Sequence, residues 1–279
     1  MKIGVIFPAS DKGMRVQELA SELEARGFES LFIPEHTHIP VNTEKTFRGG
    51  TERMPKSYAE MMDPFTACMA AAAVTKRLTV GTGICLVPQH DPIVLAKTVA
   101  TLDVLSEGRF ILGMGGGWNV GEMNNHGVVY ETRFAQLREH VLAMKTLWTE
   151  EDSEYHGEFV DFSPVWCYPK PMQKPHPPLL LGGETDHTLR RVVEYCDGWF
   201  PRPTHGFNPE KDMARLHRIA AEAGRDPATL SVTVFRLPHE KDEIARYEAA
   251  GIERGLLQFP GLKRDEILRS LDTFAPLLG

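Results

Sequence analysis

The segment from Leu78 to Trp118, LTVGTGICLVPQHDPIVLAKTVATLDVLSEGRFILGMGGGW, constrains the fold more than any other part of the chain. A short apolar run comes first, then a loop, an amphipathic stretch, a second apolar run and a series of glycines. That order describes a βαβ unit, and a crossover of this kind joins parallel strands. Glycines at the carboxyl end of the second strand let a flat or phosphorylated ligand approach the backbone. One segment thus suggests both a parallel sheet and a ligand position.

The rest of the chain repeats the alternation. Strands are expected at Ile3–Phe7, Ser30–Ile33, Leu78–Ile84, Arg109–Gly113, Leu179–Leu181, Gly198–Phe200, Leu230–Phe235 and Gly255–Phe259, with helices near Met14–Arg26, Pro64–Ala73, Ile93–Leu105, Arg133–Trp148, Thr188–Tyr195, Pro209–Ala223 and Arg264–Leu271. Eight strands alternating with helices fit a (β/α)8 TIM barrel. The competing open, doubly wound sheet would want a Gly-x-Gly-x-x-Gly turn after the first strand, and Phe7-Pro8-Ala9-Ser10 does not supply one. Residues 37–58 read as a long polar loop. Residues 149–178, rich in proline after a Tyr-Gly-Phe stretch, read as a hairpin and a crossing segment inserted between the fourth helix and the fifth strand. The whole of 1–279 is expected to form one domain.

Bulk composition narrows the function. With 42% hydrophobic residues and no long apolar run, a sizeable core is expected and a membrane span is not. The net charge of −7 argues against nucleic acid as the main partner. Four scattered cysteines and no secretion signal suggest a reduced, cytoplasmic protein.

In a barrel the chemistry lies just past the strands' carboxyl ends. Those positions hold Glu35 and His36, Gly83 and Ile84, Gly115, Gly116 and Trp118, and Gly182, Gly183, Glu184, Thr185 and Thr188. Few are charged, which suits a planar cofactor better than hydrolysis. Gly182–Thr185 lies between a strand and a helix, where free amides attract phosphate; a plain glycine turn with Thr185 or Asp186 as N-cap explains it equally well. His36 could relay a proton, or be a surface or capping histidine. His36 and His38 form a His-x-His pair, but no further ligands are nominated, so no metal is expected. His90-Asp91-Pro92 reads as a helix cap.

Taken together, Pro34-Glu35-His36, Val80-Gly81-Thr82-Gly83-Ile84, Thr101-Leu102-Asp103, Leu105-Ser106-Glu107-Gly108-Arg109, Leu112-Gly113-Met114-Gly115-Gly116-Gly117-Trp118, Leu181-Gly182-Gly183 and Asp197-Gly198-Trp199 resemble the luciferase-like monooxygenase superfamily, and most closely its branch that uses the deazaflavin coenzyme F420. The resemblance covers Ile3 to about Phe200. It implies a flavin or deazaflavin at the barrel mouth, a non-proline cis peptide at Gly83-Ile84 behind the ring, His36 near the ring's reactive edge, and phosphate held at Gly182-Gly183 and the following helix start. Trp118 would lie near the ring or its ribityl chain. Arg48, Arg53, Lys56 and Arg202 are candidates for the coenzyme's oligoglutamate tail.

The implied activity is F420-dependent hydride transfer to or from a small organic substrate. An FMN-dependent monooxygenase served by a separate cofactor-reducing enzyme is the alternative, and a non-catalytic flavin-binding relative is a third reading. A phosphate-binding lyase or isomerase would want a Schiff-base lysine or paired carboxylates, which the strand ends do not offer. Family members often pair through helices near the second and third strands, so a homodimer is expected.

Overall fold

A computed structural model describes residues 1–41, 54–203 and 206–278. Eight parallel strands close into a barrel: β1 (Lys2–Ile6), β2 (Ser30–Ile33), β3 (Thr79–Leu86), β4 (Phe110–Gly115), β7 (Leu179–Gly182), β8 (Gly198–Phe200), β9 (Ser231–Phe235) and β10 (Arg254–Gln258). Strands β5 (Ser153–His156) and β6 (Asp161–Val165) form a separate antiparallel hairpin within the expected insertion. The eight strands are the ones anticipated, shifted by at most two residues at their ends, with β3 running on to Leu86 and β4 to Gly115.

The helices are α1 (Val16–Arg26), α2 (Pro64–Ala72), α3 (Pro92–Leu105), α4 (Val120–Asn125), α5 (Arg133–Thr149), α6 (Asp186–Tyr195), α7 (Pro209–Glu222), α8 (Lys241–Ala249) and α9 (Arg264–Phe274). Two of these, α4 and α8, were not anticipated. Helix α4 is only six residues long, and α8 buries only Ile244 and Tyr247 of its nine residues. The caps follow the sequence closely. Gly27 ends α1 at φ 87°. Asp91 accepts from the amides of Ile93 and Val94, with Pro92 in the first turn of α3.

Strand alternation produces two cores. The outer one fills the layer between sheet and helices and includes Val5, Leu31, Val80, Leu112, Leu181, Trp199 and Leu257. The inner one plugs the barrel with Ile6, Phe32, Ile111, Leu180, Phe200 and Leu256, and Ile84 and Phe235 lie against it. The rings of Phe32 and Phe200 meet edge to face with centroids 5.6 Å apart. The barrel is therefore solid below, and ligand space is confined to its carboxyl-end mouth.

The residues around the turn between α3 and β4, at the amino-end face of the barrel, are structural. Arg109 donates to the carbonyls of Ala72, Thr75 and Leu78. Fully buried Asp103 accepts from the Gln173 amide and side chain, which pins the crossing segment to the barrel floor. None of the helices among the described residues is long and apolar enough to cross a membrane.

Candidate active site

At the mouth, His36 Nδ1 lies 2.7 Å from Glu122 Oε2. The Glu122 side chain is 1% exposed, and its other oxygen accepts from the Thr37 amide at 3.0 Å. A carboxylate oxygen facing Nδ1 makes Nδ1 the protonated nitrogen and leaves Nε2 to face a ligand. Two rings fix the imidazole from the sides: Trp118 edge-on with centroids 5.7 Å apart, and Tyr58 tilted at 5.5 Å. Asn119 caps α4 by accepting from the Glu122 amide. That Asn-x-x-Glu spacing is a legible helix start, and it is the signal by which Glu122 could have been found from sequence.

Glu35 points the other way, as adjacent residues of an extended chain do. It is 4% exposed, accepts from the Leu86 amide, and meets His90 Nε2 at 2.8 Å. Burial opposes charge on His90, but the hydrogen bond and nearby charge of Glu35 outweigh it and raise its pKa. Glu35, Cys85 and His90 bring one potential ligand atom each within 4.8 Å of one another. Burial, reinforced by the Glu35 carboxylate, pushes the Cys85 thiol well up, so it stays protonated. Hydrogen bonding accounts for this trio, and it lies behind β3 rather than at the mouth.

The peptide between Gly83 and Ile84 is cis. The β3–β4 register shifts between Thr82 and Cys85, and Ile84 is left half-buried above the inner core. Gly115 lies beside it; a Cβ there would come within 2.2 Å of Ile84 Cδ1. At Gly116 a Cβ would press on the Phe134 ring at 2.9 Å, so this glycine makes room for an aromatic side chain of α5. Trp118 is 43% exposed at the rim.

Across the barrel, β7 ends at Gly182, where an added Cβ would meet nothing closer than 3.6 Å. Gly183 has φ +123°, outside the reach of ordinary side chains, and its carbonyl accepts from Trp199 Nε1 at 2.6 Å. Thr185 is the N-cap of α6 and accepts from the Thr188 amide; the two hydroxyls lie 3.1 Å apart. The amides of Asp186 and His187 then have no partner within the helix. This open glycine, left-handed turn and helix start together form a cradle whose free donors suit a phosphate.

The expected charged neighbours divide. Arg202 binds Glu184 through two nitrogens at 2.9 and 3.0 Å, so the pair is closed on itself. Lys56 starts an exposed short turn. Arg48 and Arg53 lie outside the described residues. Sequence reasoning missed two other cations. Arg133 and Arg191 stand over the Phe134 ring at 4.4 and 4.1 Å, with Arg191 one turn past Thr188 on α6. Neither has a carboxylate partner among the described residues, and Arg133 Nε is buried without a hydrogen bond.

A family model described as luciferase-like monooxygenase matches residues 2–268. The chain belongs to this family. An uncharacterized protein of Mycobacterium tuberculosis is 37% identical to it over 283 residues, spanning 100% of this chain and 99% of that protein. An FMNH2-dependent dimethylsulfone monooxygenase of Pseudomonas putida is 29% identical over 192 residues, 67% of this chain and 52% of that protein. Among solved structures, the coenzyme F420-dependent tetrahydromethanopterin reductase of Methanopyrus kandleri superposes with a TM-score of 0.75 at 16% identity, covering 100% of this chain and 99% of that one. This luciferase-like barrel therefore has a sequence relative named for FMNH2 and a neighbour in fold named for F420.

Proposed function

We propose that the protein is an F420-dependent oxidoreductase that moves hydride between the coenzyme and a small organic substrate. The residues fit such a coenzyme. The glycine cradle and α6 start would take its phosphate, Ile84 and Gly115 would back its ring, and His36 would face the ring's edge. Bound F420 supplies a two-electron hydride couple. His36, with Nδ1–H held by Glu122, offers Nε2 to accept a proton from substrate or, once protonated, to return one. Glu35 acts at one remove, by fixing the end of β3 through the Leu86 amide.

The observation that carries F420 over FMN is the Arg133–Phe134–Arg191 stack beside the cradle. FMN ends at its phosphate, whereas F420 continues into an oligoglutamate tail, and two cations without carboxylate partners are what such a tail needs. The Pseudomonas putida relative favours the second reading, an FMN-dependent monooxygenase served by a separate reducing enzyme. A homodimer completes the proposal. Val94 and Leu105 of α3 are 64% and 59% exposed, and Trp166 and Met172 of the crossing segment 76% and 57%.

Titration of the purified protein with F420 and FMN, followed by fluorescence, tests the reading. F420 should bind about tenfold tighter or better, and Arg191→Ala should remove most of that preference. Tighter binding of FMN, with oxygen consumed by the reduced complex, would replace the proposal by the second reading. Gly182→Val directs its added bulk into the mouth and should weaken either coenzyme by about tenfold or more without lowering the melting temperature.

A further inference from the structure

We propose that Arg236 receives an oxyanion of the substrate, so that the molecule reduced or oxidised here carries a carboxylate or similar charged group. The inference rests on the functional reading above and adds the substrate's chemical class.

Arg236 follows β9 directly. In the circular strand order β9 stands opposite β3, the strand that holds Ile84. Phe235 and Ile84 both rest on the inner core, so the two residues form facing parts of the mouth's floor. With phosphate on the β7 side and the ring over Ile84, the space left for substrate is bounded by β9, β10 and β1.

Three observations single out this arginine. It holds φ +58°, a left-handed conformation that costs a side-chain-bearing residue free energy and tends to be kept where function needs it. Its Nε is buried with no hydrogen-bond partner, and no carboxylate among the described residues pairs with its guanidinium. The guanidinium carbon lies 5.3 Å from the Phe235 ring, a contact weaker than an ion pair. A half-buried guanidinium left this way has paid desolvation without compensation, and a planar oxyanion answers it with two parallel hydrogen bonds.

The surroundings supply room and a second polar group. A cleft of about 350 Å³ is lined by Arg236, Leu237, His239 and Gln258 among others. Gln258 stands two residues beyond inward-facing Leu256, so the alternation turns it to the same side. The acids nearby are Glu240, on the cleft's exposed edge, and Glu266, farther out beside Arg269 in the adjoining space. Neither pairs with Arg236.

A matched pair of probes tests the inference without turnover: cyclohexanone and 4-oxocyclohexanecarboxylate, titrated calorimetrically into the protein loaded with oxidised coenzyme. The carboxylate should bind wild type about tenfold tighter than the neutral ketone. Arg236→Gln should erase that preference and Arg236→Lys should keep part of it, with melting temperatures confirming that both fold. Equal carboxylate affinity in wild type and Arg236→Gln, including none in either, overturns the inference. So does an Arg236→Gln loss in coenzyme affinity as large as the loss for the probe, which would assign the arginine to the coenzyme's tail. Failure of the functional reading is seen separately, as absence of coenzyme binding to wild type; the probe titration on unloaded protein then still decides about Arg236.

Discussion

The two walls of the barrel mouth are built on opposite plans. On the β2–β4 side the charged groups have protein partners: His36 with Glu122, Glu122 with Thr37, and Glu35 with His90 and the Leu86 amide, while the buried side-chain amide of Gln89 has none. On the β7–β9 side several donors lack one: the first amides of α6, the Arg191 guanidinium on the Phe134 ring, and the buried Nε atoms of Arg133 and Arg236. A wall whose hydrogen bonds are already made holds its geometry before any ligand arrives and suits proton transfer, where orientation decides the rate. A wall of unanswered donors gets its partners from the ligand and suits binding. Under the proposed function, chemistry belongs to the first side and affinity to the second.

The sharpest way to break that division is His36→Ala. If the closed wall serves chemistry, turnover should fall by about 10²- to 10⁴-fold with coenzyme affinity little changed. The same change uncovers an oxygen of Glu122, a carboxylate with no exposure as a residue, so unfolding free energy should drop by about 1–3 kcal/mol in urea titration. Glu122→Gln keeps the ring's neighbour but weakens its hold on Nδ1–H, and should lower turnover less while moving the pH profile. Turnover unchanged in His36→Ala would leave the closed wall without a catalytic role.

A smaller effect tests the other wall. Glu184 stands beside the cradle with its charge taken up by Arg202. Glu184→Gln removes a negative charge near the proposed phosphate position and frees the guanidinium. Coenzyme binding should tighten about two- to fivefold at low ionic strength, and the gain should shrink in salt. Weaker binding in the variant would mean that the pair shapes the cradle and its charge is secondary.

How much of this could be read from sequence follows the same division. The barrel was legible because strand and helix periods alternate cleanly, and because Gly27, Asp91 and Thr185 sit where caps belong. The cradle was legible because a glycine pair between strand and helix leaves local marks. Long-range pairings left none. Nothing in the order of residues joins His36 to Glu122, 86 positions away, or shows that Glu35 turns behind β3 to His90 while its neighbour faces the mouth. Nothing local pairs Arg202 with Glu184, 18 positions away. Arg133 and Arg191 carry no local mark of their shared position, since only the fold brings both onto the Phe134 ring.

The smallest expected effect separates the walls by their response to pH. Burial works against the charged form of His90, but Glu35 more than compensates, and its pKa lies above the ordinary 6.5. A base whose pKa is higher folded than unfolded stabilises the fold in its charged form. That contribution should be complete below about pH 6.5, the unfolded value, and disappear as pH rises through the higher folded value. The stability difference between wild type and His90→Gln, from urea unfolding at several pH values between about 5.5 and 9, should thus be constant at the acid end and decline above neutrality. The corresponding difference for Arg236→Gln should stay flat over the same range, since a guanidinium does not titrate there and no protein acid pairs with it. A His90 difference that grows with pH would mean that the histidine is held neutral. Glu35 would then have to find its compensation in the Leu86 amide alone, and the wall behind β3 would be less closed than its distances indicate.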